Sequence, residues 1–224
     1  MRITKRDVIV LKDLALSHAL TRDQFMKLGH FSSITRTNTC LRRLVSAKLV
    51  ARLQTPFWGQ SIYAVTKCAT DLVGPRIASL IKGRSVSPRF LQHALTVTEA
   101  RIVLCEQLGG PWRFEPQLWR KLDRLQYEIR PDGLVLSTVP VFVEIDLGHV
   151  APTKFREKLL GYQALASSGD CEALYGFPTF RLLTLTTGTL RAHRLSRLTP
   201  LDAGYEHCAQ TLASLGVTLT NDWS

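Results

Sequence analysis

Three carboxylates in the second half of the chain have the spacing of a metal-dependent hydrolase site. Asp132 follows Pro131 directly, and Glu144 and Asp146 lie two positions apart in the next apolar segment. Because successive side chains of a strand alternate between faces, Glu144 and Asp146 are expected on the same face. Three carboxylates converging at adjacent strands would bind a hard divalent cation, Mg²⁺ or Mn²⁺. Such an ion can orient water and stabilise a cleaved phosphodiester.

A structural alternative exists for the same carboxylates. Buried acids without partners are unfavourable, and basic residues follow or precede them closely in the sequence. These candidate partners are Arg130, Lys154, Arg156 and Lys158. Pairing with them would stabilise the fold without any metal, so the residues alone leave both interpretations open.

The elements that must position these carboxylates form a mixed α/β pattern. Apolar periodicity of about two or 3.6 residues predicts the order helix, two strands, helix, strand and helix, with a short closing strand. The predicted segments are 93–108, 125–136, 139–147, 153–166, 179–186, 202–215 and 217–219.

The first ninety residues differ sharply in charge from the rest. They carry 16 Lys and Arg against 4 Asp and Glu, whereas residues 91–224 carry 13 against 14. A localised positive excess of this kind is the electrostatic footprint of a protein that binds a polyanion. The charge distribution therefore predicts a nucleic-acid partner, and the winged helix predicted for the same region indicates that this partner is double-stranded DNA.

The same region predicts three helices and a hairpin. Helical periodicity covers residues 4–20, Thr21 and Gln24 form a capping box for a second helix, and a third helix covers 34–47. Alternating strands at 49–53 and 61–65 flank a turn at 55–60. This order predicts a winged helix-turn-helix domain over 1–85, a linker at 82–88 and a second domain over 90–224.

The third helix is predicted to read the DNA major groove. Arginine can bond guanine bidentately, asparagine can pair with adenine, and threonine and arginine can hold phosphates. The predicted DNA-binding residues are Arg36, Thr37, Asn38, Arg42, Arg43, Lys48 and Arg52. No acidic residue interrupts the segment between Asp23 and Asp71, which argues against an ordinary solvated helix face.

Composition excludes several other classes. No apolar stretch is long enough to span a membrane, and the N-terminus has no apolar core of a signal peptide. The five cysteines are scattered without zinc-site spacing, which favours reduced, structural thiols. A cytoplasmic protein is expected.

Several segments together resemble a known family. Pro131-Asp132, Glu144-x-Asp146 and a helix with Lys158 and Tyr162-Gln163 resemble the PD-(D/E)xK nuclease core. Behind a winged helix, with the segment His93–Arg101 (HALTVTEAR) between them, they resemble the replication-relaxation family, which includes plasmid mobilisation proteins and relaxases. The resemblance implies a restriction-endonuclease-like second domain, with Asp132, Glu144 and Asp146 holding Mg²⁺ or Mn²⁺.

One residue departs from that nuclease pattern. The motif has lysine two positions after the glutamate, where this chain has Asp146. Lys158 or Lys154 on the following helix could supply the missing charge. Tyr162 is either a nucleophile for covalent strand transfer or a residue that packs between helix and sheet.

Two functions follow from these expectations. The first is a site-specific DNA-binding protein of a plasmid or mobile element that nicks DNA in mobilisation, relaxation or replication, using Asp132, Glu144, Asp146, Lys158 and Tyr162. The second is a non-catalytic regulator or accessory protein whose second domain dimerises or recruits a partner. Other mobilisation or replication proteins and a second copy of the chain are the expected protein partners.

Overall fold

The computed structural model describes residues 2–53, 59–83, 86–122 and 127–217. Contacts divide the chain into two units, the first through Ile102 and the second from Val103, with the division inside one helix. The first unit therefore extends beyond the predicted boundary. Residues 84–85 of the predicted linker lie outside the described residues, while Lys82 and Pro88 belong to the helices on either side.

The first unit contains helices and a small antiparallel sheet with strand order β1-β3-β2. Its elements are α1 (Lys5–Leu16), β1 (Leu20–Thr21), α2 (Arg22–Lys27), α3 (Ile34–Ser46), β2 (Val50–Leu53), β3 (Ile62–Val65), α4 (Thr70–Val73), α5 (Pro75–Gly83) and the start of α6 (Pro88–Leu108). The three predicted helices and both hairpin strands are confirmed, whereas β1 was not predicted. Residues 54–58 of the predicted turn lie outside the described residues.

Side-chain caps explain where the first helices begin. The predicted capping box is present, because Thr21 Oγ1 accepts from Gln24 N at 3.2 Å and Gln24 Oε1 accepts from Thr21 N at 3.1 Å. Thr4 and Asp7 form a second box at α1, and Ser33 caps α3. The apolar sides of these helices form one core with Phe25, Leu41 and Leu44.

The second unit is built on a five-stranded mixed sheet with strand order β10-β9-β8-β7-β4. Its elements after α6 are β4 (Trp112–Phe114), α7 (Glu115–Leu118), β5 (Arg120–Leu122), β6 (Tyr127–Ile129), β7 (Gly133–Val135), β8 (Val141–Asp146), α8 (Pro152–Ser168), α9 (Asp170–Tyr175), β9 (Arg181–Thr186), α10 (Thr189–Ser196) and β10 (Glu206–Thr211). Strands β8, β9 and β10 are parallel, whereas β7 is antiparallel to β8 and β4 to β7. The chain is a mixed α/β protein, as predicted.

Two helices cover the face of this sheet that carries the acidic side chains. Leu159 of α8 and Leu195 of α10 belong to one buried cluster with Phe142 of β8 and Leu182 of β9. Because β8 and β9 are parallel and each leads into its helix, both helices begin at the carboxyl edge of the sheet. This edge, where Asp146 ends β8, is where α/β proteins commonly place their sites.

The helix predicted over residues 202–215 is wrong. Residues 206–211 form β10, which pairs with β9 at the edge of the sheet, and a short 3-10 turn follows at Ala213–Leu215. Gly204 has φ +72°, a left-handed conformation that an α-helix does not contain. Of the predicted strand at 217–219, Val217 lies outside any strand and the other two residues lie outside the described range.

Candidate functional site

Helix α3 exposes part of its predicted polar face. The side chains of Arg36 and Arg42 are exposed and Asn38 is half-buried. Their contacts are local, because Arg36 Nη1 donates to Ser32 Oγ at 3.2 Å and Arg42 Nε donates to the Asn38 carbonyl at 3.4 Å. Neither guanidinium faces a carboxylate among the described residues, so both remain charged groups available to a polyanion.

Thr37 and Arg43, also predicted to contact DNA, have structural positions. Thr37 is fully buried, and its Oγ1 donates to the Ser33 carbonyl at 2.8 Å. Arg43 donates from Nη2 to the buried carboxylate of Asp7. A DNA contact does not fit the burial of Thr37, and Arg43 primarily holds α3 against the start of α1.

Lys48 and Arg52 extend the exposed basic surface beyond α3. Lys48 follows the helix with φ +58°, the left-handed conformation that ends the helix and turns the chain toward β2. Arg52 lies on β2 and donates from Nε to Ser61 Oγ at 2.8 Å across the hairpin. Both side chains are exposed. Arg36, Arg42, Lys48 and Arg52 are hereafter the α3–hairpin basic surface.

The HALTVTEAR segment on α6 stabilises the first unit. Gln24 Nε2 donates to Glu99 Oε1 at 3.1 Å and Lys27 Nζ donates to Glu99 Oε2 at 2.9 Å. Arg101 Nη1 donates to Asp13 Oδ1 at 2.6 Å, and His30 lies 2.7 Å from the other oxygen of Asp13. Sequence reasoning assigned this segment to the second domain and missed these partners.

Burial and the neighbouring charges have opposite effects on the pKa of Asp13. Burial by itself would raise the pKa of this carboxyl, but the hydrogen bonds and charges of His30 and Arg101 lower its pKa to about 2. The carboxylate is therefore ionised over the whole physiological range. It joins α1, α6 and the turn after α2 within the first unit.

In the second unit, Asp132, Glu144 and Lys158 come together. Lys158 Nζ lies 2.5 Å from Glu144 Oε2, so a lysine of α8 reaches the carboxylate of β8. Asp132 Oδ2 accepts from Ile145 N at 2.7 Å, which fixes this carboxylate beside β8. The charge of Asp132 acts on both Glu144 and Lys158. These three residues are hereafter the Asp–Glu–Lys cluster.

The electrostatics of the cluster define which charges it can carry. Burial raises the pKa of Glu144, an effect that Asp132 reinforces and that Lys158 and Tyr162 partly oppose. Burial alone would lower the pKa of Lys158, but the carboxylates of Glu144 and Asp132 raise it overall. Lys158 is thus an ammonium at neutral pH, suited to stabilise negative charge and unsuited to act as a base.

Tyr162 occupies the interior between α8 and the sheet. It is 2% exposed, and its hydroxyl donates to Glu144 Oε1 at 2.8 Å. Burial, followed by the charge of Glu144, raises the pKa of Tyr162 well above its ordinary value. This geometry does not fit a nucleophile, which needs access and a readily formed phenolate. Of the two interpretations, packing between helix and sheet fits, with Tyr162 orienting Glu144.

Asp146 is held by a partner that sequence reasoning missed. Arg191 on α10 donates from Nε to Asp146 Oδ2 at 2.5 Å and from Nη2 to the Val150 carbonyl at 2.7 Å. Gly148 N donates to the other carboxylate oxygen at 3.0 Å. Asp146 lies on the same face of β8 as Glu144, as predicted. Its carboxylate, however, forms an ion pair with Arg191 that holds α10 at the end of the strand.

The predicted set of three metal ligands is therefore only partly assembled. Asp132 and Glu144 lie together, whereas Asp146 forms an ion pair with Arg191. The described residues contain no group of three or more His, Cys, Asp or Glu side chains arranged for a metal ion. Two carboxylates lie at the cluster, which is the number with which Mg²⁺ is often bound when phosphate oxygens complete its coordination, but three of their four oxygens already accept hydrogen bonds.

A comparison with protein families finds one match, which covers about three quarters of the chain. Residues 11–179 match the family described as Replication-relaxation. The chain belongs to this family. No curated protein and no solved structure matches the chain significantly.

Membership of the Replication-relaxation family suggests a role in the replication or relaxation of plasmid or mobile-element DNA. The family match includes α3 and the Asp–Glu–Lys cluster, whereas Arg191 and α10 lie beyond it. Among the described helices, none is both long and apolar enough to cross a membrane.

Proposed function

We propose that the protein binds double-stranded DNA through a winged helix-turn-helix in its first unit and nicks DNA with the Asp–Glu–Lys cluster of its second. The observation that carries the nicking proposal is the 2.5 Å pair between Lys158 Nζ and Glu144 Oε2. This pair supplies, from a helix, the cation that the PD-(D/E)xK motif carries two residues after its glutamate.

DNA binding is supported by the charge and exposure of the first unit. The net positive charge of the chain lies entirely in residues 1–90, and the α3–hairpin basic surface exposes four cations of that region. The element order, with α3 after a short turn and followed by the hairpin, fits a recognition helix with a wing. Arg36 and Arg42 would contact bases or phosphates, and Lys48 and Arg52 would contact phosphates.

The cluster residues have separate roles in the proposed nicking. Asp132 and Glu144 would hold a divalent cation, Mg²⁺ or Mn²⁺, which supplies water activation and charge stabilisation. Lys158, held as an ammonium, would stabilise the negative charge that develops on the phosphate when water displaces one bridging oxygen. Tyr162 would keep Glu144 oriented, and Asp146 with Arg191 would brace the end of β8.

The DNA-binding proposal is tested with the full chain and a fluorescently labelled duplex. Replacing Arg36 and Arg42 together with Gln should weaken binding by several kcal/mol in total, on a scale of about 1–3 kcal/mol per good base contact. A matched control replaces two exposed cations on other elements, Lys67 and Arg76. If both double variants bind as tightly as the unchanged chain, α3 does not contact DNA.

The nicking proposal is tested with supercoiled plasmid carrying a transfer or replication origin. Relaxed product should accumulate with Mg²⁺ or Mn²⁺, and Glu144→Ala and Lys158→Met variants should abolish it while binding DNA normally. Asp146→Asn is the informative comparison, because it should retain product if Asp146 is only a brace. No relaxed product from the unchanged protein, or equal product from Glu144→Ala, would reject nicking.

A non-catalytic function is the second candidate, favoured by the contacts of Glu144. Both oxygens of this buried carboxylate already accept hydrogen bonds, from Lys158 and Tyr162. In that case the second unit recruits a protein partner or a second copy of the chain. Calorimetry with Mn²⁺ separates the two functions: the nicking proposal requires heat that disappears in Asp132→Asn, and the accessory function requires none.

A further inference from the structure

The second unit is neutral in total, but its charges are unevenly distributed. Residues 103–217 contain twelve Lys and Arg and twelve Asp and Glu. Between Glu172 and Asp202, however, the sequence has four arginines and no acidic residue. Three of these arginines, Arg191, Arg194 and Arg197, recur at intervals of three across α10 and its C-cap.

Two of these arginines, Arg194 and Arg197, are exposed and have no acidic partner among the described residues. Ala192 and Leu195 bury one side of α10, while Arg194 and Arg197 are exposed. The ion pairs within the described part of this unit involve other cations, namely Arg130, Lys154, Lys158, Arg181 and Arg191. Arg194 and Arg197 thus form no ion pair with a described residue.

Arg191 connects this row of arginines to the carboxyl edge of the sheet. Its guanidinium bonds Asp146 and the Val150 carbonyl, just before α8 begins at Pro152. Asp146 is two residues from Glu144 on the same face of β8. With a rise of 1.5 Å per residue, the row extends about 9 Å along α10 away from that edge.

We propose that Arg194 and Arg197 bind the phosphate backbone of DNA and so form a second DNA-binding surface. This inference rests on the proposed function, because the bound phosphates would belong to the strand that reaches the Asp–Glu–Lys cluster. Exposed guanidinium groups without acid partners are the groups that release counterions when they neutralise phosphates. Arg191, already bound to Asp146, fixes the position of the helix.

The test measures how DNA affinity depends on salt. The full chain binds a short fluorescein-labelled duplex of arbitrary sequence, and anisotropy gives Kd over a range of NaCl concentrations. Replacing Arg194 and Arg197 with Gln should reduce the slope of log Kobs against log salt by about 0.9 for each arginine. Circular dichroism verifies that the variants are folded.

The matched control is Arg181→Gln, compared with Arg194→Gln. Each removes one positive charge from the same unit, but Arg181 lies at the amino end of β9, paired with Glu206. The inference requires that Arg194→Gln lowers the salt slope and Arg181→Gln does not. Equal slopes for the two single variants would overturn it.

Three outcomes separate this inference from the proposed function. If Arg36→Gln with Arg42→Gln weakens DNA binding but Arg194→Gln with Arg197→Gln leaves the salt slope unchanged, the first unit binds DNA and the second surface does not exist. If the unchanged protein binds no duplex even at low salt, the proposed DNA binding itself fails. If the α10 variants lower the slope while Glu144→Ala relaxes plasmid normally, the surface stands without nicking at the cluster.

Discussion

The two units use their charged residues in opposite ways. In the first unit, two acids are tied to structural partners, Asp7 to Arg43 and Asp13 to Arg101, and a surplus of cations stays exposed. In the second unit, cations and acids are equal in number, and the most buried acids, Glu144 and Asp146, each hold a cation. The total charge of a unit therefore indicates which unit is suited to bind a polyanion, whereas the pairing of each charge indicates which residues are left to contact it.

The largest effect is expected from breaking a buried charge in the first unit. Asp13→Asn leaves Arg101 and His30 without their carboxylate, and removing one member of a buried pair typically costs about 3–5 kcal/mol. Asp23→Asn is the control, because Asp23 forms an exposed pair with Arg22 and should change stability by less than about 1 kcal/mol. Urea denaturation of the full chain measures both, and equal losses would contradict the structural role of Asp13.

The pH dependence of stability should distinguish the units. In the second unit, burial lowers the pKa of His207 from 6.5 to about 4, and both ring nitrogens lie within hydrogen-bond distance of threonines. As the pH falls, the unfolded chain therefore binds a proton at His207 before the folded chain does. The neutral His207 contributes about 3 kcal/mol above pH 6.5, and this contribution is lost as the pH falls to 4.

Asp13 of the first unit should lose its contribution at lower pH. Its pKa is lowered from 3.8 to about 2, so its stabilisation is complete above 3.8 and disappears as the pH falls through 2. The urea midpoint, measured from pH 7 to pH 2, should therefore decrease over two separate pH ranges, one between 6.5 and 4 and one between 3.8 and 2. His207→Gln should remove the fall between pH 6.5 and 4 and retain the lower one. If the His207→Gln variant still loses stability between pH 6.5 and 4, His207 is not the group responsible for that loss.

Neighbouring arginines on α3 should separate DNA binding from stability. Arg42→Gln should weaken DNA binding by about 1–3 kcal/mol, roughly five- to 150-fold in Kd, with stability unchanged. Arg43→Gln leaves the buried Asp7 without its guanidinium, so it should mainly lower the free energy of unfolding, by about 1–3 kcal/mol. Anisotropy and urea denaturation of both variants test this, and a reversed pattern would refute it.

The smallest effect is expected for an exposed pair in the second unit. Lys154 and Glu157 lie 2.8 Å apart on α8, with both side chains more than half exposed. Lys154→Ala should change the free energy of unfolding by no more than about 0.5 kcal/mol, because solvent screens the pair. A larger loss in urea denaturation would show that exposed pairs in this unit matter more than the comparison assumes.

Local patterns in the sequence predicted much of the fold. The capping box at Thr21, the helical periodicity of α3 and α8, and the β-branched run of β8 each depend on residues a few positions apart. Strand β10 was mistaken for a helix because its identity depends on pairing with β9, which no local pattern encodes. Gly204 was the available warning that the predicted helix could not continue.

The same limit applies to the candidate site: features set by neighbouring residues were predictable, and contacts between distant segments were not. The shared face of Glu144 and Asp146 follows from strand geometry alone, but the partners of these carboxylates lie on helices distant in sequence. Thr37 could have been recognised as buried, because it shares the i, i+4, i+7 stripe with Leu41 and Leu44. Arg191 gave no such signal, since only the folded chain brings α10 to the end of β8.

The lysine on α8 also has a consequence for recognising related sites in other sequences. A search for glutamate followed two positions later by lysine would pass over this chain. Its pattern is instead a buried strand glutamate, then a helix with lysine and tyrosine one turn apart, here Glu144, Lys158 and Tyr162. Under the proposed function, the lysine lies on a different element from the glutamate, and a strand motif without its own lysine need not indicate a lost site.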